Sequence, residues 1–344
     1  LEHYEKALAL DSSDPRVHVN AGAVSQLLGD LETAESRYRA ALKIHPQFVS
    51  ALNNLAAVLQ RQQHPEEAEK TYLQSLKLEP DNPETLVNYG SFLLERGETD
   101  RARKQLDQAI RIDPNNPGAH ITLGNLHDRL RDWDKVQEHY DKALLLDPNN
   151  STVHCNLGYR CHELGKQEQA IEHFEHALGG DPNSAKALAG LGKCMLRQDD
   201  TSEATEYIED ALKLAPWDVY AHIAKAELCT HQRDLDNAES EWKHVIEHHP
   251  DMVEGYIGLA KHYADAERYD EARAQYKTAE EQDITNLRLY HSWSIYEEGI
   301  HNLDEAERIA EKAVERYPSY PGLAILRSKL ARRRKDFTAA LELL

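Results

Sequence analysis

The chain has 344 residues, 29% of them charged, and its 60 acidic against 40 basic side chains give a formal charge of −20 at pH 7. A field of that sign repels phosphate backbones and makes nucleic acid an unlikely partner. No run approaches the roughly 18 apolar residues of a membrane helix, and four cysteines without paired spacing (Cys155, Cys161, Cys194, Cys229) point to a reducing compartment, the cytoplasm, rather than a disulfide framework.

Proline sets a ruler. Pro46, Pro80, Pro114, Pro148, Pro182, Pro216, Pro250 and Pro318 are spaced at 34 residues or its multiple, broken only at Ile284, and Pro15, Pro83, Pro117 and Pro321 fall three residues later in phase. Residues 1–14, with Tyr4 and Ala7 in phase, predict the second helix of a preceding repeat. From 15 to 320 the pattern predicts nine gapless repeats, and 321–344 a tenth cut short, so that 1–344 reads as one array and as a fragment of a longer chain.

With Pro15 as position 1, position 8 is small (Gly22, Ala56, Gly90, Gly124, Gly158, Gly192, Ala226, Ala260, Ser294), as are position 20 and position 27. Position 24 is mostly large: Tyr38, Tyr72, Leu106, Tyr140, Phe174, Ile208, Trp242, Tyr276. Positions 4, 7, 8 and 11, then 20, 24 and 27, recur at helical spacing, so each unit predicts two amphipathic helices. Gly29, Gly97 and Gly165 at position 15 suit a left-handed turn between them. Gln63, Arg131, Asp199, Arg233, Glu267 and His301 stand there in other repeats, at a cost of about 1 kcal/mol if the conformation is kept. Asp-Pro steps stop the second helix, and the Asn or Asp that follows can cap the next.

This pattern resembles the tetratricopeptide repeat over essentially the whole chain. The resemblance implies an all-α, right-handed superhelix of antiparallel helix pairs, whose first helices line a concave groove that binds an extended peptide or a partner's helix. One pair cannot bury its apolar face alone, so neighbours must supply the core.

Along the groove, position 6 reads Asn20, Asn54, Asn88, Thr122 and Asn156. Asparagine is a middling helix former, but its amide can both donate to and accept from an extended peptide backbone. The series is similar to the asparagine ladder in the repeat domain of O-linked N-acetylglucosamine transferases. In repeat 5, HCNLGYRCHELG (154–165) gathers two histidines and two cysteines. His154 and Cys161 take core positions, while Cys155 and His162 share a face but fall short of the four ligands zinc requires. Tyr159 lies on the groove side of the same helix. Repeat 6 carries Lys186, Lys193 and Arg197 near one stripe, a candidate receptor for an acidic group. Asn125, Asn156 and Lys186 match three places of the family's carboxylate clamp, but Ile121 and Gly190 stand where two of its basic residues belong. His173, His176, His244, His248 and His249 fall on second helices, where solvated side chains are expected.

Toward the end the pattern drifts. Trp293, Tyr296 and Glu297 look partly like half-a-TPR repeats, and Arg327, Lys329, Arg332, Arg333, Arg334 and Lys335 make the last 24 residues basic, six cations against Asp336 and Glu342. No phosphate loop, nucleophile elbow or H-E-x-x-H metal motif is present, and no catalytic residue, cofactor or metal is expected. The reading is a non-catalytic scaffold for other proteins. The alternatives are the substrate-recruiting arm of a glycosyltransferase or other multidomain enzyme, and a half-a-TPR-like subunit of an RNA-processing assembly. Oligomerisation would run through the open ends.

Overall fold

A computed structural model describes residues 13–130, 132–282, 287–317, 321–336 and 338. The expected helix at 1–14, Arg131, Ile284 and most of 337–344 lie outside these residues, apart from Ser13 and Asp14. Nineteen helices, and no strand, occur among the described residues.

The chain forms two compact units, Leu1–Pro148 and Asn149–Leu344. Unit 1 holds α1 (Pro15–Leu27), α2 (Leu31–Ile44), α3 (Val49–Arg61), α4 (Pro65–Leu78), α5 (Pro83–Glu95), α6 (Thr99–Ile112), α7 (Pro117–Arg129) and α8 (Trp133–Leu146). Unit 2 holds α9 (Ser151–Glu163), α10 (Gln167–Gly180), α11 (Ala185–Arg197), α12 (Thr201–Leu214), α13 (Val219–His231) and α14 (Leu235–His248). It continues with α15 (Val253–Asp265), α16 (Tyr269–Glu281), α17 (Leu287–Gly299), α18 (Leu303–Arg316) and α19 (Pro321–Arg333). Each odd-numbered helix from α1 to α17 packs antiparallel on the even one after it, and every odd helix begins 34 residues after the last.

Local chemistry explains the boundaries. Pro15, Pro65, Pro83 and Pro117 occupy first-turn positions, where a missing amide costs nothing. Asn82 Oδ1 accepts from the Thr85 amide at 3.0 Å, and Asn116, Asn150 and Asp218 cap their helices in the same way. Among the described residues the turn at position 15 keeps positive φ whether or not glycine stands there. Gly29 has φ 81°, while Gln63, Asp199, Arg233, Glu267 and His301 lie between 59° and 64°. The turn is imposed by the pairing of the helices, and these five side chains bear its strain.

Packing follows the predicted small-to-large pairing. A Cβ on Gly124 would sit 2.2 Å from the Tyr140 ring, and one on Gly158 2.7 Å from the Phe174 ring, so in these repeats the ring fills the space a side chain at position 8 would need. Unit 1 has a core running from Val19 to Leu126, with Tyr38, Tyr72, Phe92 and Leu106 among its enclosed side chains. In unit 2 one cluster centres on Phe174 and Ile208, and a second on Trp242, Tyr256, Tyr276 and Trp293.

Candidate functional site

In unit 1 the first helices α1, α3, α5 and α7 present the asparagines. Asn20 is exposed and Asn54 half-buried, and neither makes a side-chain hydrogen bond among the described residues. Asn88 differs, because its Nδ2 donates to Asn53 Oδ1 at 3.1 Å. Asn53 is 1% exposed, and its own Nδ2 has no hydrogen-bond partner. The unit thus holds two open amides and one inward-tied pair. Asn125 Oδ1 accepts from the Tyr140 hydroxyl at 2.6 Å, which fastens α7 to α8, and the buried Thr122 hydroxyl donates to Gly118 O within its own helix.

In unit 2 the predicted residues come together, largely with one another. Lys186 Nζ donates to Asn156 Oδ1 at 2.9 Å and lies over the Tyr220 ring at 4.3 Å and the Tyr159 ring at 5.7 Å. Tyr159 in turn donates to Lys186 O at 3.0 Å, and burial drives its phenol pKa well above the ordinary value. Lys193 pairs with Glu227 at 2.9 Å, and Arg197 Nη1 donates to His162 O at 2.6 Å. All three basic side chains therefore already hold a partner.

The Arg197 contact is one of a series. Arg61 donates to Gln26 O and Arg129 to Leu94 O, so position 13 arginines cap the carboxyl end of the preceding first helix, where a cation is favoured by the helix dipole. Sequence reasoning missed this role. The signal was the recurrence of arginine at one position.

The cysteine and histidine cluster of α9 turns inward. His154, Cys155 and His162 are buried and Cys161 half-buried. Cys155 Sγ lies 3.7 Å from Ser184 Oγ, and Cys194 Sγ is 3.7 Å from His162 Nδ1. Burial, with the charges of Lys193 and Arg197, lowers the His162 pKa to about 3, while burial raises the Cys194 thiol to about 11. Both are neutral near pH 7, and no group of three or more metal ligands converges among the described residues.

Of the histidines expected to be solvated on second helices, His176 and His248 are exposed and His173, His244 and His249 half-buried, and all but His249 also meet another histidine ring. His154 lies on His173 and His176, and His244 lies on His222 and on His248, the latter two at 4.1 Å between centroids. Helical spacing places such residues on one helix but cannot reveal that position 4 of the preceding helix supplies a ring to meet them. At position 4 the polar group also ties repeats together. His120 Nε2 donates to Pro114 O at 3.0 Å, His222 Nε2 to Pro216 O at 2.9 Å and the Tyr256 hydroxyl to Pro250 O at 3.1 Å.

The aromatic and acidic residues of the drifting segment are structural. Trp293 and Glu297 are fully buried, and the Tyr296 hydroxyl donates to Tyr269 O at 2.6 Å. Arg273 grips Glu297 through two hydrogen bonds of 2.7 and 2.8 Å, with Trp293 Nε1 and Asn302 Nδ2 also donating to it. Three basic residues in and just after α19 face acids: Lys329 and Arg333 both hold the buried Glu298, and Arg334 pairs with Asp304 and Glu307.

No described helix is long and apolar enough to cross a membrane. None of the curated proteins compared with the chain matches it. Among solved structures, yeast Tom70 matches with a TM-score of 0.50 at 17% identity, over 99% of this chain and 86% of that one. The human IFIT1 dimer with PPP-AAAA matches with a TM-score of 0.55 at 16% identity, over 96% and 89% of the two chains. At such identities the likeness is one of fold. Three tetratricopeptide repeat profiles match the sequence itself, one over 93–154 and 162–228, one over 53–117 and 232–286, and one over 139–172. Together they cover more than half of the chain, and the chain belongs to the tetratricopeptide repeat family.

Proposed function

We propose that the chain is a non-catalytic scaffold whose first-helix faces hold an extended segment of a partner protein. The observation that carries this reading is the pair of open amides at Asn20 and Asn54, which sit at one position of successive first helices with no partner among the described residues. Each offers a donor and an acceptor to a peptide backbone without requiring a particular side chain. Asn88, Asn125, Asn156, Tyr159, Lys186 and Arg197 contribute by holding neighbouring helices in place.

A polyphosphate or RNA ligand, such as the PPP-AAAA of the human IFIT1 structure, fits this chain less well. The net charge is −20, and the basic residues Lys329, Arg333 and Arg334 are neutralised by Glu298, Asp304 and Glu307. The same asparagine face would serve as a recruiting arm if a catalytic domain adjoined it.

The test is a pull-down with Asn20→Ala and Asn54→Ala combined, beside Lys213→Ala on the exposed side of α12. Binding of at least one partner should fall about tenfold, the equivalent of two lost hydrogen bonds. Retention of every partner by the double variant would sink the groove reading.

A further inference from the structure

The first and fifth of the odd-numbered helices in unit 2 meet through side chains. Arg288, in the first turn of α17, places Nη1 3.0 Å from Oε1 of Glu163, the last residue of α9, and 2.8 Å from Oε1 of Glu254 on α15. Four repeats separate Glu163 from Arg288 in the chain. Their contact requires the intervening first helices to curve so that α9 and α17 face each other, and the ion pair then spans the hollow between them.

Other cations gather at the same place. Arg197 Nη1 donates to His162 O at 2.6 Å, which ties α11 to the end of α9 beside Glu163, and the charges of Lys193, Arg197 and Arg288 add to burial in lowering the His162 pKa. Lys261 on α15 stands among Arg288, Lys193, Glu227 and Asp265. Lys193 has Glu227, and Arg288 has Glu163 and Glu254, but Lys261 has no ion-pair partner among the described residues. Its side chain reaches solvent, yet burial and the like charges of Arg288 and Lys193 lower its pKa.

We propose that Arg288 is a strap across the first-helix face of unit 2, held shut by Glu163 and opened by an acidic extended segment of a partner protein, whose carboxylate replaces Glu163 on Arg288 while Lys261 receives a second one. This rests on the scaffold reading and names the partner chemistry for one of its faces. The exchange is inexpensive because the resident pair is solvated, with Glu163 45% and Arg288 40% exposed. Solvated ion pairs contribute little, so an incoming carboxylate need only match a weak competitor. Glu254 keeps one bond to Arg288 throughout and prevents the guanidinium from swinging away. The partner's charge must be concentrated, since the chain as a whole repels anions. The receptor is therefore local and works only at contact range.

Fluorescence anisotropy with labelled octaglutamate and the full 344-residue chain tests the strap. Glu163→Gln removes the internal competitor and should tighten binding about fivefold, whereas Arg288→Gln and Lys261→Gln should weaken it about tenfold and severalfold. Glu247→Gln on α14 corrects for the change in net charge, and far-UV circular dichroism confirms folding of each variant. Binding to Glu163→Gln no tighter than to Glu247→Gln, or an undiminished affinity in Arg288→Gln, overturns the strap. An uncharged octapeptide, measured against Asn20→Ala with Asn54→Ala, separates the two readings: a strap that fails while this peptide still depends on those asparagines leaves the scaffold reading intact.

Discussion

Glu241 accepts a hydrogen bond from His222 Nδ1 at 2.8 Å, at the position of the 34-residue unit where repeats 4 and 5 carry His139 and His173. His222 Nε2 faces Pro216 O, which can only accept, so the two acceptors favour the protonated ring that donates from both nitrogens. His120 donates through Nε2 to Pro114 O, and its Nδ1 lies 3.1 Å from His139 Nδ1. One of those two Nδ1 atoms must be bare, so the two rings cannot both be imidazolium. The same scaffold position thus favours a cation beside Glu241 and opposes a second one where His139 faces His120.

Acid should destabilise the histidine pairs. Burial, reinforced by the His120 charge, lowers the His139 pKa to about 4, and burial lowers that of His173. With folded values below the unfolded value near 6.5, the unfolded chain binds protons first. Their stabilisation is complete above about pH 6.5 and is lost as pH falls toward 4, on the order of 2 kcal/mol for His139. Urea titrations at pH 7.5 and 4.5 on the parent and His139→Gln would show it, the variant losing less on acidification.

His222 should behave in the opposite sense. The Glu241 hydrogen bond raises its pKa, so its contribution is present below the unfolded value and disappears as pH rises through the folded one. Glu241→Gln is expected to lower stability at pH 6 and leave it nearly unchanged at pH 9. Thermal melts at the two pH values distinguish this from a uniform packing loss.

Gly124 has no room for a methyl group against Tyr140, so Gly124→Ala should cost about 1–3 kcal/mol despite alanine's better helix propensity. Pairing it with Tyr140→Leu should restore part of the loss. Chemical denaturation of the single and double variants measures the coupling.

Arg273 is the main charge balancing the fully buried Glu297. Arg273→Met leaves that carboxylate unpaired and is expected to destabilise by about 3–5 kcal/mol, while adding Glu297→Leu should recover most of it. If the single and double variants melt together, the pair is not what holds α17 against α16.

Arg233 carries φ 60° at a turn where three repeats use glycine. Arg233→Gly relieves left-handed strain of roughly 1–2 kcal/mol but adds freedom to the unfolded chain, so a net gain of about 0.5–1 kcal/mol is expected. A drop in the denaturation midpoint would instead assign the arginine side chain a stabilising contact.

The fold was legible because its determinants recur. Glycine or alanine at position 8, a large ring at 24 and proline at 32 state the same packing rule repeatedly, and the helices begin where that rule places them. The asparagine series was legible as a position, but composition could not show that Asn88 is spent on Asn53 or Asn156 on Lys186, since these bonds join helices 30 or more residues apart. The basic stretch of α19 looked like a nucleic-acid surface because sequence reports the charges on one helix and not those opposite it. Arg333 and Lys329 face Glu298, 35 and 31 residues earlier. Histidine at position 4 likewise read as core filler, since hydrogen bonds to a proline carbonyl leave no periodic trace.

Those position 4 bonds bear on how the array comes apart. Pro114, Pro216 and Pro250 each end a repeat, and their carbonyls are held by His120, His222 and Tyr256 from the first helix of the next. A repeat that frays from one side therefore exposes its neighbour's side-chain donor as well as its own apolar face. At these junctions the smallest cooperative opening is a pair of repeats, and native-state hydrogen exchange should show amides on the two sides of each junction sharing one opening free energy.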